Sequence, residues 1–230
     1  MSQAESHPNW KGLYRVGGAA ALIAAGFEIV AALIGVISSY TSGPVPSTVI
    51  GWFTLFQNHR LIGLLDMDLL LIVDQVLMGV VLLALYAALR RASQSFMAIA
   101  LTSGLLGIAA YFASSTAFNM LSLSSQYAAA TTDAQRAMFL AAGQATLTMW
   151  QGTAFDVGYV LEGAALLIIA VVMLRSTLFS KVIASVGILL GVMSLIPPTA
   201  GTIGLFFALG SLVPLTIWDI LIARRLFQLG

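Results

Sequence analysis

The chain contains no cysteine. Disulfides, thiolate nucleophiles and cysteine-ligated metals are therefore excluded, while the compartment stays open. Histidine is almost as scarce. Of its two copies, His7 lies in an N-terminal tail and His59 just before an apolar run, so a multi-histidine zinc site cannot be assembled and no metal is expected. Without a histidine at depth there is also no Ser-His-acid hydrolase. Charge is thin throughout: 8% of residues are Asp, Glu, Lys or Arg, against about 25% in soluble domains. No basic cluster is interleaved with aromatics, which leaves nucleic acid without a binding surface. No glycine-rich loop stands ready for phosphate, so no nucleotide cofactor is implied. No lysine lies inside an apolar run, so a retinal Schiff base has no support. The aspartates near residue 66 superficially evoke prenyltransferase motifs, but their spacing and the missing bases do not fit diphosphate chemistry.

What is abundant is hydrocarbon. The 230 residues are 60% hydrophobic, with a mean hydropathy of +0.99. Several apolar runs reach about 20 residues, the length needed to cross a bilayer. This composition fits an all-α polytopic membrane protein. Residues 1–12 read as a polar tail, 13–226 as one transmembrane domain and 227–230 as a second tail. The apolar run from Val16 to Ile37 follows Lys11 and Arg15, as in a signal peptide. It is longer than the 7–15 residues of a signal core and contains Glu28, so it reads as a retained first helix.

The pattern predicts six membrane helices over about 14–39, 61–89, 96–122, 151–174, 182–200 and 203–223. Helix 1 is rich in Gly and Ala, which let helices approach closely in a bilayer, and is expected inside the bundle. Two shorter helices are predicted on the outer side. The first covers about 47–60, with Trp52, Phe53 and Phe56 suited to an interface. The second starts at Thr132, where Thr132 and Gln135 match a capping box, and runs to Trp150. With six helices, Lys11, Arg15, Arg90, Arg91, Arg175, Lys181, Arg224 and Arg225 fall on one side, and only Arg60 and Arg136 on the other. By the positive-inside rule both termini are expected in the cytoplasm, with the chain in the cell (inner) membrane. An internal echo points to a parallel repeat of helices 2–3 and 4–5: Arg91, Ile99-Ala100 and Leu105-Leu106-Gly107 match Arg175, Ile183-Ala184 and Leu189-Leu190-Gly191 at one spacing.

Several of these features resemble one family. They are Arg15-Val16-Gly17-Gly18 after an aromatic, the aromatic-rich lead into Arg60-Leu61-Ile62-Gly63 and Asp66, Leu85-Tyr86 with Leu89-Arg90, Gly158-Tyr159 on the fourth helix, and Phe179-Ser180-Lys181 before the fifth. Together they resemble the bacterial six-helix membrane family catalogued as domain of unknown function 4386. The resemblance implies a six-helix bundle and assigns no activity. Asp68 and Asp74 are not part of that pattern.

Acids inside the apolar runs carry the functional argument. A carboxylate at mid-bilayer costs about 2.5–3.5 kcal/mol on insertion scales, so such residues face protein or a water-filled cavity. Asp66, Asp68 and Asp74 lie on helix 2, Glu28 on helix 1, and Asp156 and Glu162 on helix 4. If helix 2 is continuous, Asp66 shares a face with His59, and Asp74 lies about 80° further round. Asp68 points to a different face and suits an interface. Asp219 reads as a local partner of Arg224 or as facing the inner headgroups. The expected inward cluster, for ligand binding or proton relay, is Glu28, Asp66, Asp74, Asp156, Tyr159 and Glu162. His59, Arg60, Asn119 and Gln151 would line its outer mouth.

No Lys or Arg lies in the middle of any helix, so buried acids must be neutral or matched by something bound. That argues against anionic substrates. Three readings stay open. The chain is a carrier or capture subunit for a neutral or cationic small molecule, with proton or cation coupling. Alternatively it is a membrane enzyme in the style of terpene cyclases, with Asp74, Glu162 or Glu28 as the catalytic acid. In the third reading it is an assembly or regulatory protein whose acids hold helices together. Six helices are few for a monomeric carrier, so a homodimer or a partner subunit is implied.

Overall fold

The computed structural model describes residues 10–41, 45–67 and 69–230, the side chains of 35–41 excepted. Asp68 and His7 thus lie outside the described residues, as does most of the tail expected over 1–12. Every regular element described is a helix: α1 Lys11–Thr41, α2 Val49–Asn58, α3 Arg60–Asp66, α4 Leu69–Leu89, α5 Gln94–Ser114, α6 Ala117–Ala129, α7 Asp133–Trp150, α8 Thr153–Arg175, α9 Lys181–Met193 and α10 Gly201–Leu229. Helices satisfy their own backbone groups, which hydrocarbon cannot do for them. Among the described residues five helical stretches are long and apolar enough to cross a membrane: Lys11–Ile34, Leu69–Leu89, Gln94–Ala129, Asp133–Arg175 and Gly201–Leu229. The protein is therefore an all-α, multi-pass membrane protein in contact with lipid.

Six helices form a closed ring. Each packs on two neighbours, in the order α1, α4, α5, α8, α9, α10 and back to α1. Small residues set the closest approaches. A Cβ on Gly107 of α5 would stand 2.9 Å from the Gly158 carbonyl oxygen of α8, and a Cβ on Gly158 2.9 Å from the Gly107 oxygen. Gly191, the counterpart of Gly107 in the sequence echo, lies against Leu167 on the same helix α8.

α1 is not internal as expected. Ala20, Ala21, Ala24 and Ala25 are buried, but Leu22, Ile23, Ile29, Val30 and Leu33 are exposed. Its small residues occupy one stripe, against α4 and α10, and the other face is left for lipid.

α9 is shorter than the predicted 182–200. It ends at Met193, and the chain turns at Pro197 and Pro198, where the Ala200 amide donates to the Pro197 carbonyl. Proline has no amide to continue a helical ladder. At 13 residues, α9 is about 20 Å long, less than a hydrocarbon core of about 30 Å. In the opposite sense, α10 runs to Leu229, past the predicted end near 223.

The two ends of the ring differ. At one end the termini and the basic turns meet. The Arg90 guanidinium lies 4.8 Å from the Trp10 ring centre, and Arg225 Nε donates to the Leu178 carbonyl. Leu85, Leu89, Met97, Met173, Ile222 and Leu226 fill the floor there. At the other end α2, α3, α6 and α7 build a cap with its own core around Trp52, Phe53, Phe56, Met67 and Met120. Trp52 meets Trp150 edge-on, with ring centres 5.5 Å apart. Ser124 Oγ donates to the Phe53 carbonyl at 2.9 Å, tying α6 to α2.

The two outer helices expected over 47–60 and 133–150 correspond to α2 and α7, and the capping box of Thr132 and Gln135 is formed. The other two cap helices come from breaks that were not foreseen. Helix 2 is interrupted at Met67, a buried residue of the cap core whose amide turns back onto Gly63 and Leu65. Helix 3 is interrupted at Ser115-Thr116. There Ser114 Oγ donates to the Tyr111 carbonyl at 2.7 Å and competes with the helical ladder.

The α5–α8 crossing yields a stability test. Backbone faces backbone there, so a side chain cannot be absorbed by a rotamer change. Gly158→Leu should destabilise by roughly 2 kcal/mol or more, seen as a lower melting temperature in detergent. Gly26→Ala, with open space around its Cβ, should leave that temperature unchanged or slightly raised.

Candidate functional site

The ring closes around a cavity of about 360 Å³ to which all six helices contribute. Most of its wall is aliphatic, from residues such as Leu71, Met78, Ile108 and Leu215. Near the cap it is aromatic. Tyr111, Phe155 and Tyr159 form a series with ring centres 6.1 and 6.2 Å apart. The lining includes Glu28 from α1, Asp74 and Gln75 from α4, and Glu162 from α8, and among the described residues no Lys, Arg or His.

The acids share one electrostatic environment. Asp74 acts on both Glu28 and Glu162. Thr216 Oγ1 of α10 donates to Glu28 Oε2 at 2.6 Å, and Gln75 Nε2 donates to Glu162 Oε2 at 3.1 Å. Ser194 and Ser211 lie within hydrogen-bonding range of the Tyr159 hydroxyl. Ser211 in turn donates to the Ala208 carbonyl. Pro214, inside α10, has no amide for the Gly210 carbonyl, so the ladder is interrupted along the cavity wall.

Of the predicted inward cluster, the fold brings Glu28, Asp74, Tyr159 and Glu162 to one cavity. Asp66 and Asp156 are not in its lining. Asp66 ends α3, on the cap side of the break at Met67, so the helical phase that linked it to Asp74 does not carry through. Asp156 lies in the first turn of α8 and accepts from Thr199 Oγ1 at 2.5 Å, holding α8 to the turn before α10. His59, Arg60, Asn119 and Gln151 are exposed on or beside the cap helices, and none lines the cavity.

Asp219 is the residue that sequence reasoning misplaced. It is 0% exposed and interacts with Glu28 side chain to side chain. The local pair with Arg224 is ruled out by helical geometry. Five residues along one helix are about 140° round its axis, which puts the two on different faces. Because α10 continues to Leu229, Asp219 also lies about 15 Å from the helix end. Gln75, Thr216, Ser194 and Ser211 were missed as well. Gln75 had a signal, since it adjoins Asp74 in a run otherwise made of Leu, Ile, Val and Met.

Few partners are available for these groups. Among the described residues, Asp74 Oδ1, Gln75 Oε1 and Glu162 Oε1 are shut off from solvent with no hydrogen-bond partner. Buried acceptors normally find donors, so such a set needs an explanation. Among the described residues no group of three or more His, Cys, Asp or Glu is placed to hold a metal ion. The arrangement offers acids that can hold a proton or a positive charge beside an apolar chamber.

No curated protein and no solved structure matches the chain. A family model does, over residues 54–226. That segment includes Asp74, Glu162 and Asp219 and omits α1 with Glu28. With about three quarters of its length matched, the chain belongs to the family described as Domain of unknown function (DUF4386).

Proposed function

We propose that the protein binds a neutral or cationic small molecule in the central cavity and carries it across the membrane, with the carboxyls as proton or cation partners. The observation that carries this reading is the pairing of a largely apolar chamber with Glu28, Asp74 and Glu162, and with no basic side chain in its wall. An anion entering it would meet acids and no counter-charge. A cation would find its counter-charge preformed, in a medium where the attraction is weakly screened. The contact between Glu28 and the fully buried Asp219 supplies a site for coupling. Two carboxylates cannot both stay charged at contact in hydrocarbon, so the pair holds a proton or a cation between them.

The bias of basic residues toward the terminal end supports an orientation with that end in the cytoplasm, in a bacterial inner membrane. The cap then lies outside, the side from which the ligand would enter. A second reading rests on Glu162 itself, which lies with Phe155 and Tyr159 in the apolar chamber. A carboxyl so placed suits protonation of an alkene or epoxide by a membrane enzyme.

Binding separates these ideas. The naphthalene-bodied probes 1-naphthylmethylamine, 1-naphthalenemethanol and 1-naphthaleneacetate share one apolar body. The first two should quench the fluorescence of Trp218, which lines the cavity, and the acetate should not. Equal binding of the acetate would sink the proposal. Asp74→Asn combined with Glu162→Gln should weaken binding of the amine at least tenfold and shift stability by less than about 1 kcal/mol. A change in melting temperature with binding intact would assign these acids to helix assembly instead.

A further inference from the structure

The unmet hydrogen-bonding capacity of the wall points to a narrower class of ligand, and this step rests on the binding role proposed above. Gln75 and Glu162 are joined by the bond from Gln75 Nε2 to Glu162 Oε2, so their remaining oxygens belong to one patch. Asp74 precedes Gln75 on α4 and acts electrostatically on Glu162. All three residues line the cavity. The free atoms of this patch are acceptors: Asp74 Oδ1, Gln75 Oε1 and Glu162 Oε1.

Three neighbouring donors are engaged or aimed elsewhere. Thr216 serves Glu28. The Tyr159 hydroxyl lies with Ser194 and Ser211. The Trp218 indole nitrogen lies against Gly187 of α9, where an added Cβ would come within 2.9 Å of it.

We propose that the cavity selects an amphipathic amine bearing N–H groups, whose ammonium donates to the three unmet oxygens of Asp74, Gln75 and Glu162 while its apolar body lies against Tyr111, Phe155 and Tyr159. An alkylammonium carries three donors, which equals the number of acceptors waiting. Charge alone is not the criterion, because a quaternary ammonium is equally positive and has no N–H to give. It would leave all three buried acceptors unmet, and an unmet buried group is penalised more than a made bond is rewarded. The volume of about 360 Å³ lies in the lower range of small-molecule pockets. The headgroup of an aminophospholipid has the same ammonium, but its phosphate would need a cation that the wall lacks. The ligand is thus a free amine.

The test compares 1-naphthylmethylamine with (1-naphthylmethyl)trimethylammonium and 1-naphthalenemethanol at neutral pH, on the full chain in nanodiscs. The amine should bind at least tenfold more tightly than either relative. Gln75→Met removes one acceptor and should narrow the ratio between the two cations, with residual trimethylammonium binding showing that the variant is folded. Equal binding of the two cations, or an unchanged ratio in Gln75→Met, would overturn amine selection and leave the cavity's binding role standing. Failure of all three probes would instead remove the binding role itself. Affinity for the amine should be the same in phosphatidylethanolamine and phosphatidylcholine nanodiscs. Weaker binding in phosphatidylethanolamine alone would make the lipid headgroup the occupant and overturn the free amine.

Discussion

Buried acidic groups, with no basic side chain in the cavity wall among the described residues, are the constraint around which this bundle is arranged. Each carboxyl in hydrocarbon must find donors, another acid or a bound positive charge. The ring meets part of this demand from within. Thr216 serves Glu28, and Gln75 serves Glu162. It leaves oxygens of Asp74 and Glu162 unmet in residues of the cavity wall. A bundle meant only to be stable would do better with leucine at those positions. Three neighbouring helices, α1, α4 and α10, each carry an acid to the same region, and α8 adds a fourth from across the ring.

The ring holds this chamber open because close packing is confined to the helix seams. Gly107 meets Gly158, Gly17 and Gly18 admit α4 and α10, and Gly191 admits Leu167. Lipid supplies no hydrophobic drive for helices to associate, so such backbone-level contacts do most of the joining. With α9 ending early at its prolines and α10 interrupted at Pro214, the two helices opposite the α4–α5 wall are the least regular part of the ring.

The cap gives the molecule its polarity. It is built from the ends of segments whose other ends line the chamber: α3 leads into α4, α6 follows α5, and α7 leads into α8. Movement of the cap core around Trp52 and Phe56 would therefore be transmitted to helices carrying Asp74, Tyr111 and Glu162. The polar residues once expected at a mouth, such as His59 and Gln151, lie on the exposed surface of this layer.

From residue order alone follow the membrane class, the approximate spans, the capping box at Thr132 and the presence of acids inside apolar runs. These are local properties, fixed by hydropathy, periodicity and side-chain chemistry within about one helix length. Glu28, Asp74 and Glu162 stood out because nothing nearby in the chain could neutralise them. The breaks at Met67 and Ser115 were invisible, since a cap core formed by distant segments outweighs the continuous apolar pattern. Asp66 dropped out of the cluster with the first of those breaks. Asp219 entered it because ring closure sets α10 beside α1, a contact between residues nearly two hundred positions apart. Which acids share a chamber depends on how helices are rotated against one another, and that rotation is decided by seam packing that no single helix contains.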